Sequence, residues 1–169
     1  KKGINSKKML RLNDPRRPIY SCKLDVLDYC CMDDTGTFRV PGFRELDEFS
    51  VIVCTCLSSE YLRPESRTHV LIDEAGQALL PESLLPLQAL CCDRDPLNTG
   101  LGSILCGDPK QLGPIVRNKL ASQCGLQKSL LQVLSEGNNW NGLMLCQNYR
   151  SSNALLNLPS KLFYSESLY

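Results

Sequence analysis

Val70-Leu71-Ile72-Asp73-Glu74-Ala75-Gly76 is the stretch on which the fold turns. Three apolar residues, two of them β-branched, end abruptly on two carboxylates and two small residues. Such a run suits a strand buried on both faces of a parallel sheet. In open α/β sheets, ligands bind outside the carboxyl ends of the strands, where these acids would stand. The first carboxylate can hold Mg²⁺, usually through its water shell. The second can orient and deprotonate an attacking water. Adjacent acids also suit a helix N-terminus, where the dipole favours negative charge. Residues 73–76 alone leave both readings open.

The same pattern recurs on either side. Val51–Cys56 is an earlier apolar, β-branched run, and Ile104–Cys106 a later one that ends on Gly107-Asp108-Pro109. Leu143–Cys146 is a fourth strand candidate, ending on Gln147-Asn148-Tyr149-Arg150. Helical stretches are expected between and around them. Residues 24–31 and 45–49 suit short helices. Pro81-Glu82 opens another, running to about Leu90, because Pro is favourable in a first turn. Leu126, Leu130 and Leu134 share a helix face. Ser151 can cap a final helix with Leu155, Leu158 and Leu162 on one face, which Pro159 interrupts. Residues 93–102 and 136–142 read as loops. Strands alternating with helices imply an α/β domain with a parallel sheet. Three strand ends then direct polar groups to one edge.

Two of those ends carry further candidates. In Gly107–Pro114 two prolines stiffen a loop that holds Asp108, Lys110 and Gln111 together. Gln111 could reach a γ-phosphate or its water, whereas Lys110 reads as a plain solvated charge. Arg150 offers fixed planar donors suited to phosphate oxygens. Tyr149 offers a ring face for a nucleobase.

Composition excludes several classes. The 169 residues carry a net charge of +1 with 43% hydrophobic and 22% charged residues, so the chain is not disordered by composition. No run approaches the ~18 apolar residues of a membrane helix. Residues 1–23 carry eight basic side chains against Asp14 alone. They read as a solvated end that could face a phosphate backbone. The ten cysteines include no Cys-x-x-Cys, and only His69 could join them. Reduced cytosolic thiols are therefore expected rather than a metal site or a disulfide framework.

Taken in order, the three motifs resemble motifs II, III and IV of superfamily 1 RNA helicases of the up-frameshift-like group. Asp73-Glu74-Ala75-Gly76-Gln77 and the Gly107-Asp108-Pro109 loop look most like the Moloney leukaemia virus resistance branch, which includes the Armitage-type silencing helicases. Val53–Ser59, Pro81-Glu82-Ser83 and Leu158–Tyr164 also fit, and Cys30-Cys31 and Phe38–Pro41 resemble the branch more weakly, so the resemblance covers about residues 24–169 with its weight on 51–169. It implies a RecA-like parallel sheet flanked by helices, the P-loop NTPase helicase core. It also implies ATP and Mg²⁺ as cofactors, with Asp73 on the metal, Glu74 as catalytic base and Gln111 on the γ-phosphate. Arg150 would be an arginine finger, and Tyr149 would pack near the adenine. Thr55 and Ser58 would contact the RNA backbone. Single-stranded RNA and Argonaute/PIWI-type silencing proteins are the implied partners, in the cytoplasm and its RNA granules, with 5′-to-3′ polarity.

One element of the family is missing. None of the eleven glycines begins Gly-x-x-x-x-Gly-Lys-[Ser/Thr], the loop whose N–H groups and Lys cradle phosphates. With Lys1 in place of Met at the start, the chain reads as a piece of a longer protein, and is expected to be inactive alone. Residues 1–50 would be the basic start and variable segment of the first RecA-like domain. Residues 51–142 would be that domain's C-terminal part, and 143–169 the entry strand and helix of the second. The other readings are a nonsense-mediated-decay-type or other superfamily 1 helicase, and a degenerate helicase-like RNA-binding module.

Overall fold

Leu10 and Leu12 sit in the interior although charged side chains surround them, because a strand presents alternate residues to opposite faces. In a computed structural model describing residues 6–90, 102–138 and 142–169, they begin the fold. Strand β1 (Met9–Arg11) is followed by helices α1 (Leu24–Leu27) and α2 (Phe43–Leu46) and by strand β2 (Val51–Val53). Next come β3 (His69–Ile72), α3 (Leu80–Leu87) and β4 (Gly102–Leu105). Helices α4 (Lys119–Ala121), α5 (Leu130–Ser135) and α6 (Asn153–Phe163) complete the order.

The strands pair in parallel, which the long helical connections between them allow. β1 lies beside β2 with Leu10 opposite Ile52, and β3 beside β4 with Leu71 opposite Ile104. They form two two-stranded sheets rather than one continuous sheet among the described residues. The basic start is therefore not merely a solvated end, since Met9–Arg11 builds a sheet.

Each sheet has its own apolar cluster. Leu10, Leu12, Leu46, Leu62 and Ala89 pack around β1–β2. Ile72, Ala75 and Leu131 pack under β3–β4, with Cys56, Val70, Leu87 and Leu105 at their edge. Arg67 braces the first of these clusters. Its guanidinium donates to the carbonyls of Leu46 and Phe49, both at 2.8 Å, and so closes the C-terminal end of α2. Its own N–H reaches the Ala89 carbonyl at 2.8 Å.

Several helices differ from expectation for local reasons. α3 starts where the Glu82 carboxylate accepts from the Leu79 N–H at 3.4 Å, half of a capping box. It stops at Leu87, where the N–H groups of Gln88, Ala89 and Leu90 turn to carbonyls three residues back, those of Leu85, Pro86 and Leu87, at 3.1–3.3 Å. The face of Leu126, Leu130 and Leu134 does not form, because the backbone turns extended at Ser129 (φ −74°, ψ 161°), between Leu126 and Leu130. α5 begins anew at Ser129, whose hydroxyl accepts from the Gln132 N–H at 3.1 Å, and it buries Leu131 instead. α6 runs unbroken through Pro159 from an N-cap at Ser152 rather than Ser151. Leu155, Leu158 and Leu162 do share a face, and that face is exposed. Leu143–Cys146 joins no sheet among the described residues; Leu143 is 90% exposed. The loop expected at 93–102 lies outside the described residues except for Gly102, which starts β4. Of the loop expected at 136–142, residues 139–141 lie outside them.

Candidate functional site

β3 and β4 run parallel, so their carboxyl ends finish side by side and deliver two turns to one edge. The ladder continues past the strands. The Cys106 N–H donates to the Ile72 carbonyl at 2.8 Å, and the Ala75 N–H to the Cys106 carbonyl at 2.7 Å. Asp73 and Glu74 fall within this stretch and are exposed above buried Ile72, Ala75 and Leu131. Glu74 adopts φ 52°, uncommon for a non-glycine residue. Its N–H donates to Asp73 Oδ1 at 3.0 Å, and its Oε2 accepts from Gln77 Nε2 at 3.3 Å. Asp73 Oδ2 and Glu74 Oε1 accept from no described residue.

The turn after β4 touches the acidic turn through two glycines. A Cβ on Gly76 would stand 2.9 Å from the Asp108 carbonyl oxygen. One on Gly107 would stand 2.9 Å from the Gly76 nitrogen. Only glycine allows this approach.

Asp108 organises the second turn. Its Oδ1 accepts from the Lys110 N–H at 3.0 Å and its Oδ2 from Gln111 Nε2 at 3.0 Å. The Tyr164 hydroxyl, just past α6, also donates to Oδ2. Partial burial pushes the Asp108 carboxyl up, but the bonds from Tyr164, Lys110 and Gln111 outweigh it and hold it below its ordinary value. Burial, then the bond to Asp108 and its charge, pushes the Tyr164 phenol up to about 12. Lys110 is not the plain solvated charge its sequence suggests. Its Nζ donates to the Phe163 carbonyl and stands 5.2 Å above the Tyr164 ring centre.

The predicted residues thus fall into three groups. Asp73, Glu74 and Gln111 share the edge formed by the ends of β3 and β4. Thr55 and Ser58 follow β2, where the Thr55 hydroxyl accepts from the Ser58 N–H at 3.1 Å and donates to the Ser58 hydroxyl at 2.9 Å. Ser58 is buried and Thr55 exposed; Cys56 between them packs against the cluster beneath the acids. Tyr149 and Arg150 lie exposed on the approach to α6. The Arg150 N–H donates to Asn148 Oδ1 at 3.1 Å, and its guanidinium has no partner among the described residues. Sequence reasoning missed Asp108 as a hub and Tyr164 as its partner. The available signal was the acid inside the Gly-Asp-Pro loop, but the partner lies 56 residues away.

No group of three or more His, Cys, Asp or Glu side chains that could hold a metal occurs among the described residues. Their eight cysteines are free thiols. A cleft of about 390 Å³ opens beside the second turn, lined by Gly76, Gln111, Lys128, Ser129 and Gln132 among others.

A family profile described as an AAA domain matches residues 43–119. The chain is 35% identical over 166 residues to RNA helicase Mov10l1 of Mus musculus, covering 86% of this chain and 13% of that protein. It is 36% identical over 163 residues to putative helicase MOV-10 of Gallus gallus, covering 85% and 17%. It is 38% identical over 152 residues to a probable helicase with zinc finger domain of Mus musculus, covering 85% and 7%. The chain therefore spans between 7% and 17% of the length of these relatives.

Proposed function

The chain belongs to the MOV-10-type helicases of superfamily 1, and on that premise we propose that the full-length protein carrying it is an ATP-dependent RNA helicase or translocase. We place its action, 5′ to 3′, in small-RNA-mediated silencing with Argonaute-type partners, in the cytoplasm and its RNA granules. No helix among the described residues is long and apolar enough to cross a membrane.

The observation that carries the reading is the β3–β4 ladder. It sets Asp73-Glu74 and the Gly107–Gln111 loop side by side, bonded through Ala75 and Cys106 at 2.7 Å. The acids fit a hard cation and a nucleotide. Both are exposed, both keep a carboxylate oxygen without a partner among the described residues, and carboxylate oxygens suit Mg²⁺. When bound, the metal would neutralise charge building on the transferred phosphoryl group. Asp73 would hold it through its water shell. Glu74 would take the proton of the attacking water, its Oε1 being free to do so. Gln111 would contact the γ-phosphate, Tyr149 would pack on the adenine, and Arg150 would supply the finger charge. Thr55 would face RNA, whereas Ser58, expected to do the same, is buried and would instead hold the Thr55 hydroxyl. Residues 51–142 would then close the first RecA-like lobe, and 143–169 would enter the second.

The test is ATP turnover by the full-length protein with and without single-stranded RNA. RNA is expected to stimulate turnover. Glu74→Gln is expected to lower turnover about 10²–10⁴-fold, the usual contribution of a general base, while leaving ATP binding intact. Turnover indifferent to RNA, or Glu74→Gln working near the wild-type rate, overturns the proposal.

A further inference from the structure

We infer that Tyr164 is a positioning residue for Gln111, joining that side chain to the Arg150 segment through a shared carboxylate. The Tyr164 hydroxyl and Gln111 Nε2 donate to the same oxygen, Asp108 Oδ2. The inference rests on the reading of Gln111 as the γ-phosphate contact.

The link is anchored at both ends. On the loop side, Asp108 also takes the Lys110 N–H on Oδ1 at 3.0 Å, and its carbonyl takes the Gln111 N–H at 3.2 Å. These bonds fix the carboxylate and the Gln111 backbone as a unit. On the helix side, the Lys110 ammonium holds the Phe163 carbonyl and faces the Tyr164 ring, a cation–π arrangement. Tyr164 itself is tied back to α6, since its N–H and that of Glu166 donate to the Ser160 carbonyl at 3.1 and 3.0 Å.

The path then continues to Arg150. The buried Ser160 hydroxyl takes the Leu168 N–H at 3.1 Å and donates to the Leu168 carbonyl at 3.3 Å. The adjoining Tyr169 carbonyl accepts from the Asn148 N–H at 2.7 Å. Asn148 Oδ1 in turn accepts from the N–H groups of Arg150 and Ser151 at 3.1 and 3.2 Å. A contiguous set of hydrogen bonds thus runs from the Gln111 amide to the Arg150 backbone. Contiguity becomes coupling only when the two ends respond together, and a double-mutant cycle measures that. Tyr164→Phe cuts the path at one bond while keeping the ring that Lys110 faces.

The experiment uses the full-length protein. Tyr164→Phe is expected to lower RNA-stimulated kcat about five- to tenfold, the size of one charge-assisted hydrogen bond. KM for ATP should stay within about twofold, because Tyr164 does not touch the nucleotide. The ratio of stimulated to basal turnover should fall. Asp108→Asn should do the same, and the double variant should be no worse than the poorer single one. Wild-type-like stimulated kcat in Tyr164→Phe overturns the inference. So do equal proportional losses of basal and stimulated turnover, which mark a merely structural role, and so does an additive double variant. If the wild-type protein shows no stimulation by RNA, the reading of Gln111 fails and the inference with it.

Discussion

Replacing three glycines by alanine, one at a time, separates the forces that hold the two turns together. Gly36 adopts φ 79° in open space, so alanine there meets only backbone strain, about 1–2 kcal/mol. Gly76 has no positive φ, but its added Cβ would stand 2.9 Å from the Asp108 carbonyl oxygen. That atom is backbone and cannot swing away, so the penalty is one of overpacking, about 1–3 kcal/mol. Gly107 combines both effects. Its φ is 154°, and its Cβ would meet the Gly76 nitrogen at 2.9 Å, the Ala75 nitrogen at 3.0 Å and Leu131 Cδ2 at 3.1 Å. The expected loss is about 2–5 kcal/mol, the strain and overpacking ranges together. Against a typical total of about 5–15 kcal/mol, this threatens the fold around the site. Equilibrium urea unfolding of the 169-residue chain gives the three differences. Amide exchange at Ala75 and Cys106 reports whether the loss is local to the ladder. The order should be Gly107 worst, with Gly76 and Gly36 smaller, and only the first two should speed exchange at Ala75. A Gly107→Ala loss no greater than that of Gly36→Ala would refute the close approach of the two turns. A neutral Gly76→Ala would do the same.

Arg150→Ala in the full-length protein should slow ATP turnover about 10³-fold, the low end of what an arginine finger supplies. RNA affinity should change little; a collapse of RNA binding with turnover intact reassigns Arg150 to the nucleic acid. Tyr164 gives a pH signature. Its phenol is pushed up to about 12, above the ordinary value near 10, so its contribution to stability is complete below about pH 10. That contribution is lost as pH climbs through about 12. Tyrosinate absorbance should show a late component among the six tyrosines that Tyr164→Phe removes. An unchanged high-pH limb in the variant means that the Asp108 contact does not form.

The strands before the acids and before the Gly-Asp-Pro loop were legible as continuous apolar runs, but the expected burial on both faces does not occur: Leu71 is 69% and Ile104 52% exposed, and Ile72 alone of β3 is buried. β1 was hidden by Lys7, Lys8 and Arg11. A three-residue strand needs only one inward side chain, here Leu10, and Leu12 beyond it, so the charges at its flanks drown the signal. Leu143–Cys146 failed in the opposite direction. Its residues have strand character, but a strand is a relation between segments, and among the described residues it joins no strand, meeting only the chain's last residue, Tyr169, whose N–H donates to the Cys146 carbonyl at 3.1 Å. Periodicity misled at Leu126, Leu130 and Leu134 because one helix ends at Leu126 and the extended Ser129 starts another, resetting the phase between them. At the site, residue types announced the acids and Gln111, since those chemistries are tied to short spacings. Asp108 as a hub was not legible, because the hydroxyl that completes it comes from a tyrosine 56 positions later.

The candidate groups are held with unequal firmness, and the inequality follows from what each would do. Asp73 and Glu74 stand on a ladder bonded at 2.7 and 2.8 Å, over Leu131 at 3% exposure, with glycines locking the neighbouring turn. A base that must meet one water within hydrogen-bond reach needs such fixed ground. Arg150 stands on a segment without a ladder, its guanidinium unpartnered among the described residues and Tyr149 beside it 84% exposed. A finger that closes on a phosphate and withdraws after hydrolysis gains from that freedom, because lobe motion rather than chemistry often sets the turnover rate. Freedom without a tether would waste it. The path through Asn148, Tyr169, Ser160 and Tyr164 to Asp108 is the tether. It runs to the rigid turn by way of the one carboxylate that also holds Gln111, and the proposed coupling is that a movement loosening Arg150 reaches Gln111 along it.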